Sequence, residues 1–99
     1  MKKTVIYFLY KNRDIAEELF YKLIFPAQCA NEIATVFTSY HGSRAIFKSG
    51  DSLEMYPGHE NARGIWWSTA YVDCDIDSEI IQNVIIPSGK GSEDIIYFN

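Results

Sequence analysis

The run Thr4-Val5-Ile6-Tyr7-Phe8-Leu9-Tyr10 is continuously apolar and β-branched or aromatic. It has no polar alternation, so a strand made from it must be covered on both faces. Helical stripes follow. Ala16, Leu19, Phe20 and Leu23 recur at three- and four-residue spacing behind a cap at Asn12 or Asp14. Phe25-Pro26 is expected to end that helix, because the residue before proline avoids the helical region. A short turn through Ala30 follows.

Ala34 to Tyr40 reads as a second strand. Ser43–Lys48 and Ser52–Tyr56 flank Ser49-Gly50-Asp51, a hairpin signal in which glycine supplies the turn. The segment 57–61 is a loop by composition. Ile65 to Val72 is a further strand ending at Asp73. Asp75 or Asp77 caps a second helix with Ile80, Ile81, Val84 and Ile85 as its apolar stripe, stopped at Pro87. Ser88 to Ser92 reads as a turn and Asp94 to Phe98 as a last strand. The order β-α-β-β-β-β-α-β specifies a single small α/β domain over residues 1–99. It has two or three layers, a mixed sheet and a central hairpin. At 99 residues there is room for one domain.

Hydrophobic residues make up 47% and charged residues 22% of the chain, which excludes wholesale disorder. No apolar run approaches the ~20 residues that cross a bilayer, so no membrane span is expected. The basic-then-apolar start reads as a strand, not a signal peptide. Two cysteines, Cys29 and Cys74, make no disulfide framework, and a cytoplasmic location with free thiols is the expectation. Charge is uneven. Residues 1–50 carry seven Lys/Arg against four Asp/Glu, and residues 51–99 carry two against nine. This balance argues against a uniformly basic nucleic-acid binder.

Aromatics are 15% of the chain. Together with basic residues they concentrate in the middle third: Tyr40, His41, Arg44, Lys48, Tyr56, His59, Arg63, Trp66 and Trp67. Arg44, Lys48, Arg63, Trp66 and Trp67 are the candidate binding residues. Rings with nearby cations hold single-stranded nucleic acid, and the same residue types dominate protein–protein hot spots. One core and one exposed tryptophan are expected. Asp73, Asp75, Asp77 and Glu79 form the densest acidic group and, with Glu93 and Asp94, are expected to build an acidic surface that competes for a partner's basic groove. Helix capping is the default role of such a group. A carboxylate closing an apolar strand also suits Mg²⁺, which singles out Asp73 as a metal ligand. A calcium loop counted from Asp73 fails, because its sixth position is Ser78 and its twelfth is Val84. No G-x-x-x-x-G-K-[ST] or G-x-G-x-x-G occurs, and neither Cys29 nor Cys74 has a histidine at metal or catalytic spacing. These absences lean against enzymatic activity and leave the question open.

Within 43–98 the hairpin Arg44-Ala45-Ile46-Phe47 with Gly50, Leu53 and Met55, the element Ala62-Arg63-Gly64, and Tyr71-Val72-Asp73 together resemble part of the RecA-like ATPase core of phage terminase large subunits. The resemblance implies a reduced motor scaffold of phage or mobile-element origin, with Asp73 as Mg²⁺ ligand and Arg63 as phosphate contact. The departures are large: there is no Walker A, and Cys74 stands where a catalytic glutamate is usual. The expected function is that of a small non-enzymatic protein that binds a protein partner, inhibition of a host or defence enzyme being one such action. The alternatives are a nucleic-acid or nucleotide-binding module and a small metal-dependent hydrolase. Monomer and homo-oligomer are both open.

Overall fold

The computed structural model describes residues 1–39, 41–59 and 62–99, with 90–93 described by backbone alone. Tyr40, Glu60, Asn61 and the Glu93 side chain, all placed in expectation above, lie outside the described residues. The strands are β1 (Lys3–Phe8), β2 (Ile33–Phe37), β3 (Arg44–Phe47), β4 (Ser52–Pro57), β5 (Trp67–Asp73) and β6 (Gly89–Phe98). Helix α1 spans Arg13–Cys29, and α2 begins at Ser78–Ile80. From α2 the chain continues helically through a wider π stretch, Ile81–Ile85, and a tight 3-10 turn, Ile86–Ser88. The expected element order holds.

The strands form one mixed sheet in the order β2-β3-β4-β1-β5-β6. β4, β1, β5 and β6 run parallel, and β3 runs antiparallel between β2 and β4. β1 lies inside the parallel block, which is what its unbroken apolar run demands. Its side chains alternate between two cores. Ile6 and Phe8 join Ala16, Phe20 and Ile24 of α1, with Ala45, Leu53 and Met55. Val5 and Tyr7 join Trp67, Ala70, Val72 and the apolar residues of 76–85 on the opposite face. The domain therefore has three layers.

Several boundaries differ from expectation: β1 ends at Phe8 rather than Tyr10, β2 ends at Phe37 rather than Tyr40, and β5 starts at Trp67 rather than Ile65. α1 runs through Pro26 to Cys29. Proline removes only its own N–H, and the Ala30 N–H still reaches the Pro26 carbonyl at 3.1 Å, so the last turn closes. The second helix is not stopped by Pro87, which sits inside the 3-10 turn. The last strand starts at Gly89 instead of Asp94. Gly89 pairs with Trp67 and Asp94 with Thr69, so residues 90–93 bulge opposite Ser68.

Candidate binding face

α1 and the 76–88 segment cover unequal parts of the sheet. On the Val5/Tyr7 face, the 76–88 segment, with Ala62 and Ile65, packs over β1, β5 and β6. Among the described residues no helix covers the β2–β3–β4 part of that face, where only Tyr56 of β4 reaches the 76–85 core. Register places the side chains there. Ser52, Glu54 and Tyr56 of β4 lie beside Lys3, Val5 and Tyr7 of β1. Arg44 and Ile46 of β3 lie beside Glu54 and Ser52. Phe37 and Thr35 of β2 lie beside Arg44 and Ile46.

The polar groups of this face engage one another. Lys3 Nζ is 3.7 Å from Glu54 Oε1, and both side chains are largely covered. The same ammonium stands 5.9 Å from the Tyr56 ring and 5.4 Å from the Trp66 ring. The Tyr56 hydroxyl donates to Glu54 Oε1, and the Ser52 hydroxyl donates to Glu54 Oε2. Burial first, and Glu54 second, push the Tyr56 phenol up to about 12. The Arg44 guanidinium lies 5.1 Å over the Phe37 ring. Phe37 is 49% exposed and Trp66 40% exposed. Two grooves border the face. One, of about 310 Å³, is lined by His41, Arg44, Glu54 and Tyr56 among others, and the second, of about 260 Å³, by Arg63, Trp66, Asn83 and Pro87 among others.

The five expected binding residues are thus sorted. Arg44 belongs to the face, and Trp66 with Arg63 forms its rim. Lys48 does not join them: it follows β3 at the other end of that strand and lines a separate cleft with Lys2 and Asn31. Trp67 is corrected outright, since its ring is fully buried and its Nε1–H donates to the Ile85 carbonyl at 2.9 Å. β5 begins at Trp67, and Trp66 precedes it in a loop, so only the second indole is fixed by the sheet. Lys3, Phe37 and Glu54 were not singled out in the sequence. Their alternation within each strand was visible, but the pairing that gathers them is long-range.

The acidic group separates as well. Asp73 is wholly buried and is no part of an acidic surface, whereas Asp75, Asp77 and Glu79 are exposed. Asp77 caps α2 by accepting from the Glu79 N–H at 2.9 Å. Asp73 closes β5 beside β1, where the chain leaves the two strands toward opposite faces. In open α/β sheets ligand crevices form at that switch point. Here side chains of the chain itself fill it. Asp73 Oδ2 accepts from the Leu9 N–H at 3.1 Å and Asn12 Nδ2 at 2.8 Å. Its Oδ1 accepts from the Asp75 N–H at 2.9 Å and Asn99 Nδ2 at 3.4 Å. Asn12 and Asn99 also donate to Asp75 Oδ2, and Lys11 Nζ lies 3.6 Å away. These donors, Asn12 first, hold the Asp75 carboxyl below its usual value.

Ligand atoms of Asp73, Cys74 and Asp75 lie within 4.8 Å of one another. The groups aimed at the two carboxylates, however, are N–H donors and an ammonium, whereas a cation needs lone pairs. The geometry is that of a structural pin joining the β1–α1 turn, the β5–α2 turn and the end of β6. Because Asn12 is engaged there, its side chain does not cap α1. The thiols of Cys29 and Cys74 are free and exposed. Cys29 ends α1 and Cys74 follows β5. No helix among the described residues is long and apolar enough to cross a membrane.

No protein-family model, curated protein or solved structure matches the chain.

Proposed function

We propose that this chain is a docking module that binds a protein partner through the uncovered β2–β3–β4 face and its Trp66 rim. The observation that carries the reading is the charge state of that face. Its central ammonium and carboxylate, Lys3 and Glu54, are paired with each other and largely covered. What the face offers outward is the Phe37 ring, the Trp66 ring and the Arg44 guanidinium. Aromatic rings and arginine over a desolvated, internally neutralised centre are the residue types of protein hot spots. A phosphate backbone would instead call for a row of outward cations, whereas this face presents Arg44 with Arg63 at its rim.

The test is capture from a lysate of the source organism on immobilised chain, with and without nuclease. Wild type is compared with Trp66→Ala and with Phe37→Ala/Arg44→Ala. The expected result is a protein retained after nuclease and at about 1 M salt, where screening acts over roughly 3 Å. Trp66→Ala should weaken that retention by about 30-fold, the cost of a hot spot of about 2 kcal/mol. Retention indifferent to both variants overturns the reading.

One observation favours a second reading, nucleic-acid or nucleotide binding. The groove beside Trp66 sets an indole, the Arg63 guanidinium and the Asn83 amide together, a combination suited to stacking and edge recognition of a base. Recovery that vanishes with nuclease, and affinity for a single-stranded oligonucleotide that falls steeply with salt, would select it.

A further inference from the structure

β6 is an outer strand of the sheet, and its outward edge is paired with nothing among the described residues. Which backbone groups that edge offers follows from a single hydrogen bond. The Cys74 N–H donates to the Phe98 carbonyl at 3.0 Å, so Phe98 directs its backbone groups toward β5. Alternation then turns Ile96 and Asp94 toward β5, and Ile95 and Tyr97 toward the free edge. Side chains alternate too. Ile95 packs with the 76–85 core, and Phe98 with the α1 core. Ile96 is 44% and Tyr97 54% exposed.

We propose that β6 pairs antiparallel with β6 of a second copy of this chain, across a two-fold axis at Ile96. That register is the one the free groups support. It sets Ile95 opposite Tyr97 of the partner, and both residues direct N–H and C=O outward, so each such pair exchanges two hydrogen bonds. The two-fold repeats the pair. Ile96 meets its own copy at a non-hydrogen-bonded position, where side chains approach closest. On the opposite face Tyr97 packs against Ile95, an aromatic–β-branched pair of the favourable kind. Asp94 falls opposite Phe98, so no like charges oppose one another.

The α1-side surface agrees with this occupant. α1 packs over β1, β4 and β2, leaving Tyr71, Ile96 and Phe98 only partly covered. The two-fold brings the two copies of this strip together into one apolar seam. The other outer strand, β2, is a poorer template. It is five residues long, and its register shifts between Ile33 and Thr35. An isologous β6 contact closes on itself and makes a dimer, not a fibre.

The experiment is sedimentation equilibrium across the micromolar range, joined to cysteine cross-linking in a Cys29→Ser/Cys74→Ser background. Wild type should reach twice the 11.4 kDa of one chain. Ile96→Cys should oxidise to a covalent dimer, since directly opposed residues of this kind stand about 4.5 Å apart at Cα. Asp94→Cys, about 13 Å from its copy at ~3.3 Å per residue, should not. Ile96→Lys, which sets two ammonium groups face to face, should return the chain to monomer with an unchanged circular dichroism spectrum. A wild type that stays monomeric overturns the proposal. So does a dimer that Ile96→Cys fails to cross-link, or that Asp94→Cys cross-links equally well.

Discussion

A wholly buried carboxylate at position 73 is tolerated because four N–H donors surround it, two from the backbone and two from asparagine amides. A carboxylate has about four lone-pair positions, so each is matched by a donor. Removing it strands the Leu9 and Asp75 N–H groups and takes one of two acceptors from each of Asn12 and Asn99. Asp73→Ala should therefore cost about 3 kcal/mol, and a domain of this size loses about 4–8 °C of melting temperature per kcal/mol. A thermal melt followed by circular dichroism should fall by roughly 15 °C. Asp77→Ala, which removes only a helix cap, should cost about 1 kcal/mol. An Asp73→Ala melt no lower than that of Asp77→Ala would show that Asp73 does not pin the three turns. The sequence marks Asp73 as exceptional, an acid closing an apolar strand. Its role is not legible there, because Leu9, Asn12 and Asn99 lie 64, 61 and 26 residues away.

At the scale of elements, local chemistry explains what could be read and where reading stopped. The unbroken run of β1, the apolar stripe of α1 and the Gly50 hairpin are local signals, and each element formed at its pattern, although β1 stops at Phe8 and the end of its run turns into a 3-10 helix. The errors fall at proline and glycine, residues whose effect depends on what surrounds them. Ser88–Ser92 reads as a turn because of its glycines. Yet a Cβ at Gly89 would meet the Trp67 ring at 2.7 Å, so this glycine serves a close approach within β6. Pro26 reads as a stop, yet α1 continues because Ile24 is already anchored in the core and a single turn remains. The helix bears the lost Pro26 N–H as a defect. Pro26→Ala should restore that bond to the Lys22 carbonyl. It should raise stability by about 1–2 kcal/mol, the ~3 kcal/mol helix preference less the entropy gained by the unfolded chain. Urea unfolding should show a higher midpoint with an unchanged slope. A lower midpoint would mean that the ring itself is needed where it packs.

At the scale of the whole molecule the sheet order decides what the sequence could not. Neither the pairing of β4 with β1 nor the open β2–β4 face is encoded in any one segment, so the candidate face was half legible. Arg44, Arg63 and Trp66 were visible as residue types, whereas Lys3, Phe37 and Glu54 became neighbours only through register. The same assembly sets the pH range of the fold. Asp75 is held below its ordinary carboxyl value by Asn12, then by Lys11 and Asn99. A depressed acid contributes stability above its unfolded value near 3.8 that disappears as pH falls through the folded one. Tyr56 and Tyr7 act at the other end. Burial, joined at Tyr56 by Glu54, favours both phenols in the protonated form. Their contribution is complete below the ordinary value of 10.0 and is lost as pH rises, for Tyr56 through about 12. The stable range should therefore extend well above the isoelectric point near 5.0 and fall away on an alkaline limb. Urea midpoints measured from pH 9 to about 12 should decline less steeply in Tyr56→Phe than in wild type, because that variant has one phenol fewer to ionise on unfolding. Parallel limbs would show that Tyr56 titrates as freely in the fold as in the open chain, and that the Lys3–Glu54–Tyr56 centre of the face is wet rather than closed.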